Sequence, residues 1–285
     1  MDNIENFVCY DALLIEPLKQ LGWQTQTISW HNRHVDWNRF DAVIIRSPWD
    51  YQQNPDAFIA TLKRIEQSSA CLFNCLQTVL WNIDKRYLQK IEDQGVTIVP
   101  TRWGNQLKPA DLLAAFEQFN CAEIIIKPVI SANADNTFRL TRESARQSSD
   151  KLCDTFSAQP FMLQPFMNSI IDEGEFSLFF FGGNYSHCIL KTPADNDFRV
   201  QEEHGGSLLK VEPEAELLQL AEKANSLLAP EPLYSRLDFV RAEQGFAIME
   251  IELIEPSLYF NMDNQSAMRF ASAFNDRMSS QNLPE

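Results

Sequence analysis

Positive charge is scarce in this chain: 24 lysines and arginines stand against 39 aspartates and glutamates, for a formal net charge of -15. That balance disfavours non-specific binding to nucleic acid or to an anionic membrane, so any phosphate site must be assembled from a few basic residues placed locally. Each lysine in an apolar setting therefore carries more weight. No apolar run reaches the length of a membrane span, and Met1-Asp2-Asn3-Ile4-Glu5-Asn6 has neither the basic nor the apolar region of a leader peptide. A cytoplasmic protein is expected. The six cysteines (Cys9, Cys71, Cys75, Cys121, Cys153, Cys188) are scattered, and Cys71 and Cys75 lack the companion pair or histidines of a zinc site. Reduced, small, buried thiols are expected. Of the four histidines, His31 and His34 fall in a polar loop, and no His/Asp or Cys/His pair marks a catalytic dyad. Internal repeats and low-complexity segments are absent.

What is present is an ordinary globular composition, 45% hydrophobic over 285 residues, enough for two domains or one domain with lobes. Helix-like and strand-like segments alternate at first: a helix over 11–21 stopped by Gly22, strands over 25–30 and 40–45, and a capped helix over 54–67. A strand over 71–74, a helix over 84–94 and a strand over 96–100 follow, so residues 1–80 read as a small parallel α/β domain. Such a unit normally opens with a strand, yet only Phe7-Val8-Cys9-Tyr10 precedes Asp11, which implies a shortened start or a very short first strand. Beyond residue 100 the pattern becomes antiparallel, with a helix over 111–119, strands over 123–127 and 161–164, and a hairpin of 175–181 with 187–191. A helix over 214–228 completes an α+β part.

The most informative stretch is Phe246-Ala247-Ile248-Met249-Glu250-Ile251-Glu252-Leu253-Ile254, a run fit for a buried strand but for two carboxylates. Period-two alternation puts Glu250 and Glu252 on one face. A buried carboxylate costs on the order of several kcal/mol unless compensated, and two side by side also repel. A turn centred on Gln244 sets Asp238, in Leu233-Tyr234-Ser235-Arg236-Leu237-Asp238-Phe239-Val240, opposite Glu250. Three hard oxygen donors without His or Cys suit Mg²⁺ or Mn²⁺ rather than zinc. The plainer alternative is a pair of strand-edge glutamates facing water.

Three further constellations stand out. Lys127 ends the strand Ile124-Ile125-Ile126 and precedes the polar run Ser131 to Thr137, a plausible phosphate grip, while Lys85 has a solvated helix start as its plain reading. Phe161-Met162-Leu163-Gln164-Pro165-Phe166-Met167, followed by Glu173-Gly174-Glu175, offers an apolar slot and a carboxylate for a nucleoside, or simply a core strand. Lys191, Arg199 and His204-Gly205-Gly206 belong to a flexible loop region able to close over an anion.

In joint order, Asn82-Ile83-Asp84-Lys85, Ile126-Lys127-Pro128, Leu163-Gln164-Pro165-Phe166, Glu173-Gly174-Glu175, Phe198-Arg199 with His204-Gly205-Gly206, Arg236-Leu237-Asp238 and Met249-Glu250-Ile251-Glu252 resemble the ATP-grasp superfamily. The likeness covers essentially the whole chain and is strongest to the bacterial glutathione-synthetase-like branch. Arg46-Ser47-Pro48-Trp49-Asp50-Tyr51 and Glu250-Ile251-Glu252-Leu253-Ile254-Glu255-Pro256-Ser257 extend it to proteins similar to the D-cycloserine-forming ligases. The resemblance implies an N-terminal α/β domain (1–80), a central ATP-grasp lobe (81–163) and a C-terminal ATP-grasp lobe (164–285), with ATP between the lobes. It assigns Lys85 and Lys127 to the ATP phosphates, Gln164, Phe166 and Met167 to adenine, and Glu175 to ribose. Asp238, Glu250 and Glu252 fall on its metal positions, Arg199 and Lys191 on catalytic ones, and Arg46, Gly205, Gly206 and Ser257 beside the substrate. Two departures are visible: Ser131-Ala132-Asn133-Ala134-Asp135-Asn136 replaces glycines in the phosphate loop, and Glu252 stands where the family often has Asn.

The expected activity is that of an ADP-forming carboxylate ligase using ATP and Mg²⁺ (or Mn²⁺), joining a small carboxylate to an amine or other nitrogen nucleophile through an acyl phosphate. The alternatives are a catalytically silent ATP-binding module acting through a partner, and an ATP-grasp phosphotransferase. Small-molecule carboxylate and amine substrates are the expected partners, without nucleic acid or membrane, and a homodimer is the candidate assembly. Arg46, at the carboxyl end of a strand, reads equally well as a fork for an acidic substrate or as an ion pair to Asp50.

Overall fold

The computed structural model describes residues 1–5, 7–131, 134–195 and 197–281. A 3-10 turn over Asp11–Leu14 runs into helix α1 (Ile15–Gln20), which ends at Gly22 with φ +90°. Strand β1 (Ala42–Ile44) follows, then α2 (Pro55–Glu66), β2 (Cys71–Phe73) and α3 (Leu76–Asn82). Asn54 caps α2 by accepting from the Ala57 amide at 3.2 Å, Pro55 opens it, and Phe58, Leu62 and Ile65 form its buried stripe. Strands β1 and β2 pair in parallel, Ala42 opposite Cys71 and Ile44 opposite Phe73, so the front of the chain is α/β as its alternation predicts. Two expectations fail there. Residues 25–30 form no strand: Thr25, Gln26 and Thr27 lie exposed with no sheet edge to pair, while Ile28 and Trp30 pack onto the core of the first domain, Trp30 against Phe58 at 5.4 Å. Residues 7–10 form no strand either.

The middle of the chain adds α4 (Tyr87–Asp93), β3 (Arg102–Gly104), α5 (Pro109–Gln118), β4 (Glu123–Pro128), β5 (Phe138–Thr141), α6 (Arg142–Gln147), α7 (Ser149–Thr155) and β6 (Phe161–Pro165). The four strands make an antiparallel sheet in the order β3-β6-β4-β5. Leu112 and Phe116 of α5 and Leu152 of α7 pack onto Ile124, Ile126 and Leu163 of that sheet. The strand expected over 96–100 reduces to a single parallel bridge, Ile98 to Ile248.

The rest comprises α8 (Ser169–Asp172), β7 (Glu175–Phe181), β8 (Asn184–Thr192), β9 (Ser207–Val211), α9 (Ala215–Ser226), β10 (Tyr234–Arg241), β11 (Phe246–Glu252) and α10 (Ser266–Gln281). Its sheet runs β11-β10-β7-β8-β9, with β11 at one edge. Edge strands leave backbone groups unpaired, and here side chains from the preceding parts take them up. Asn74 donates to Tyr234 O (2.9 Å) and Leu253 O (2.8 Å) and accepts from Leu233 N (2.7 Å). Asn82 bridges Ile251 O (2.8 Å) and Leu253 N (2.9 Å), and the Tyr87 hydroxyl bridges Ile251 O and N at 2.7 Å each. No helix among the described residues is long and apolar enough to cross a membrane.

Candidate active site

The two antiparallel sheets and the segments beside them enclose a cavity of about 190 Å³. Strands β10 and β11 bring Asp238 opposite Glu250 and Arg236 opposite Glu252, the expected pairing, but by another route: the turn pairs Arg241 with Phe246, and a bulge between Asp238 and Phe239 shifts the register by one residue. On β7, Ser177 lies opposite Asp238, and on β8 Lys191 lies opposite Glu175. The surroundings do compensate these carboxylates, with protein cations. Arg236 holds Asp238 through Nε (3.1 Å to each oxygen) and Nη2 (2.9 Å) and also pairs with Glu252. Lys191 pairs with Glu175 and reaches Asp238 at 3.4 Å, while Ser177 donates to Asp238. Burial opposes ionisation of Asp238, but Arg236 and Lys191 outweigh it and bring its pKa down to about 2. Burial pushes Glu252 up to about 8, with Arg236 opposing and Glu250 adding to the rise.

Lys85 is buried rather than solvated, its Nζ donating to Ser131 O at 2.8 Å and to Glu250 Oε1 at 2.5 Å. Lys127 lines the same cavity without an ion pair among the described residues, and burial lowers its pKa. Gln164 is buried, donating to Thr101 Oγ1 at 3.0 Å, and Phe166 and Met167 line the adjoining wall, with the Arg139 guanidinium 3.7 Å above the Phe166 ring. Arg199 lines the cavity while paired with Asp197 at 2.7 Å. Gly205 has φ +82°, and a Cβ on Gly206 would stand 2.2 Å from the Val200 carbonyl oxygen, so that tight loop needs both glycines. Of the phosphate-loop segment, Ala132 and Asn133 lie outside the described residues, and Ala134 and Asn136 take left-handed φ values of +56° and +50°.

Arg46 stands apart. It is not among the cavity-lining residues, and its ion pair is to Asp11, not Asp50, which instead binds His31 and Trp30. The reason is topological: the 3-10 turn over Asp11–Leu14 passes the carboxyl end of β1, whereas Asp50 has turned towards the loop carrying Trp30. Arg46 Nη2 also donates to Pro256 O at 2.9 Å, and Trp49 Nε1 donates to Glu255 O at 2.8 Å. The buried Tyr51 lies close enough to the Glu255 carboxylate to favour its charged form. The stretch Arg46 to Tyr51 thus clasps Glu255 and Pro256. Ser257 lines the cavity and its carbonyl accepts from Arg236 Nη1 at 3.3 Å.

Sequence reasoning missed Glu255 as a site residue. It is 9% exposed and lines the cavity, and burial pushes its pKa up to about 7 against Lys85 and Tyr51. The available signal was its place in an apolar run three residues beyond Glu252. A hard divalent cation finds suitable oxygen donors in Asp238, Glu250 and Glu252; with Glu175 and Glu255 these are five carboxylates, and Glu202 and Glu203 bring the cavity lining to seven against five cations (Lys85, Lys127, Lys191, Arg199, Arg236). Donor chemistry and surplus charge therefore fit. Among the described residues, however, no three His, Cys, Asp or Glu side chains are grouped so as to hold a metal, since each carboxylate of that trio is turned to a lysine or an arginine.

Comparison with known proteins places this geometry. Residues 1–74 match the model of the N-terminal domain of D-cycloserine synthetase DcsG, and residues 107–266 match that of the prokaryotic glutathione synthetase ATP-grasp domain. The cycloserine biosynthesis protein DcsG of Streptomyces lavendulae is 31% identical over 93% of this chain and 92% of its own length. A crystal structure of D-cycloserine synthetase DcsG superposes with a TM-score of 0.82 at 28% identity, covering 94% of each chain. D-alanine–D-alanine ligase from Bacillus anthracis, solved with ATP, shares the fold at a TM-score of 0.58 and 12% identity, over 77% of this chain and 74% of that one. A family model over more than half of the chain and a relative of this identity along nearly all of it agree: the protein belongs to the ATP-grasp ligases, enzymes of ATP-dependent ligation, in the branch that contains DcsG.

Proposed function

We propose that this ligase is ADP-forming and joins a small carboxylate to a nitrogen nucleophile through an acyl phosphate. The observation that carries the reading is the convergence of Lys85, Lys127, Lys191 and Arg236 on one cavity of an otherwise acidic chain. In this reading the substrate carboxylate oxygen attacks the γ-phosphorus of ATP, the bond to the β–γ bridging oxygen breaks, and ADP leaves. The nitrogen lone pair then attacks the acyl carbon. The bond from that carbon to the phosphate oxygen breaks, inorganic phosphate leaves with the electron pair, and the nitrogen sheds a proton. Lys127, without an ion pair among the described residues, grips phosphate oxygens, and Lys85 exchanges Glu250 for them. Arg199, on the loop ending at Gly205 and Gly206, neutralises charge on the transferring phosphoryl group, and Lys191 supports it through Glu175 and Asp238. Gln164, Phe166 and Met167 receive adenine and Glu175 ribose.

Asp238, Glu250 and Glu252 are the residues that would hold Mg²⁺, which supplies Lewis-acid stabilisation of the phosphates when bound. Screening amino acids and small dipeptides for ATP-dependent ADP release, with mass spectrometry of the product, tests the proposal. An amide product supports it. A stable phosphorylated product without condensation would replace it with phosphotransfer.

A further inference from the structure

Of the five carboxylates named above, four are matched by protein cations: Glu250 by Lys85, Glu252 and Asp238 by Arg236, and Glu175 by Lys191. Glu255 is the exception, with no ion pair among the described residues although it is 91% buried, the complement of its 9% exposure. Lys85 offsets part of that burial from beyond ion-pair distance while paired with Glu250, and a buried carboxylate so weakly compensated is costly to keep charged unless something cationic visits it. Its backbone carbonyl accepts from Trp49 and that of its neighbour Pro256 from Arg46, while the buried Tyr51 favours the charged form of the carboxylate. This is an acceptor on a braced backbone, at the wall shared with Trp49, Ser257 and Tyr259. A resident metal is the weaker occupant, because the described residues offer no group of three ligands around it.

We propose that Glu255 receives the nitrogen nucleophile, accepting hydrogen bonds from an ammonium or similarly N–H-rich group of the substrate, taking one proton from an ammonium so that the neutral nitrogen attacks, and so setting which nitrogen compound is joined. The proposal rests on the ligase reading above and adds the position from which the nucleophile approaches. The motif from Arg46 to Tyr51 then serves specificity at one remove, as the brace of Glu255.

The test compares two nitrogen sources against one activated acid. With ATP and Mg²⁺, a panel of L- and D-amino acids is offered together with hydroxylamine, which traps an activated carboxylate as a hydroxamate while uncharged near neutral pH. Ammonium chloride supplies the smallest cationic nitrogen, giving the primary amide. For the acid that yields most hydroxamate with wild type, the amide-to-hydroxamate ratio is measured in wild type, Glu255→Gln, Glu255→Asp and Tyr51→Phe, with melting curves to check folding. Glu255→Gln is expected to lower the ratio at least about tenfold and Tyr51→Phe by less, with Glu255→Asp retaining most of it. A ratio unchanged in folded Glu255→Gln, whether or not both rates fall, overturns the role of Glu255 and leaves the ligase reading standing. Should Glu255→Gln fail to fold, an unchanged ratio in folded Tyr51→Phe and Glu255→Asp overturns it equally. Wild type forming no hydroxamate from any acid overturns the ligase reading itself.

Discussion

Arg46→Met is the perturbation whose size the structure fixes best. The guanidinium makes three hydrogen bonds, two to Asp11 Oδ1 (3.1 and 2.9 Å) and one to Pro256 O (2.9 Å), and its side chain is 12% exposed against 22% for Asp11. Removing one partner of a buried pair costs about 3–5 kcal/mol. Two offsets apply: Asp11 can recover some hydration, and Arg46 Nη1, buried with no hydrogen-bond partner among the described residues, no longer has to be accommodated. About 2–4 kcal/mol remains. At about 2–4 °C per kcal/mol for a chain of this size, the melting temperature should fall by about 4–16 °C. Calorimetry of wild type, Arg46→Met, Asp11→Leu and the double variant should show the double variant losing less than the sum of the singles, because no charge is stranded. A fall of less than about 2 °C for Arg46→Met, with a raised KM for the acidic substrate, would refute a structural pairing and return Arg46 to direct substrate contact.

Lys127→Ala should weaken ATP binding by about 1.5–3 kcal/mol in calorimetry, and Lys85→Ala should in addition lower the melting temperature, since it strands Glu250. The pH dependence of stability should carry the sign of a carboxyl whose pKa is raised in the folded state. For Glu252 the contribution is present below about 4.5 and is lost as pH rises towards about 8, so Glu252→Gln should flatten the fall in melting temperature between those values. Gly206→Ala should cut turnover and lower the melting temperature as well, because the added Cβ would stand 2.2 Å from the backbone carbonyl oxygen of Val200, a residue buried with Val99, Ile170, Val240 and Ala247.

The hairpin of β10 and β11 is legible because it is local, but the turn alone would set Asp238 opposite Met249; the pairing with Glu250 depends on a bulge between Asp238 and Phe239 that alternation does not announce. For Lys85 the solvated helix start, its plain reading, is the one that fails, because its burial comes from Ser131 and Glu250, partners 46 and 165 residues away. For Arg46 the expected ion pair to Asp50 fails, and the true partner belongs to a turn 35 residues earlier. The motifs holding Trp49 and Glu255 were both conspicuous, but that one clasps the other, across 206 residues, is a fact of packing alone. Residues 25–30 failed in the opposite sense, since local strand propensity cannot create a neighbour to pair with.

The side chains that dress the free edge of β11 also decide which part of the molecule can move. Asn74, Asn82 and Tyr87 make seven hydrogen bonds to the backbone of residues 233–253. At about 0.5–1.5 kcal/mol each, parting them would cost about 4–10 kcal/mol, too much for an opening visited in every catalytic cycle. Three of these bonds come from Asn74, directly after β2, and four from Asn82 and Tyr87, so the β1–β2 unit, the segment 74–87 and the five-stranded sheet travel as one body. Admission of a nucleotide falls to the four-stranded sheet of β3 to β6 and to the loop between β8 and β9, so the hinge belongs on the segments joining those pieces, not between the first domain and the rest.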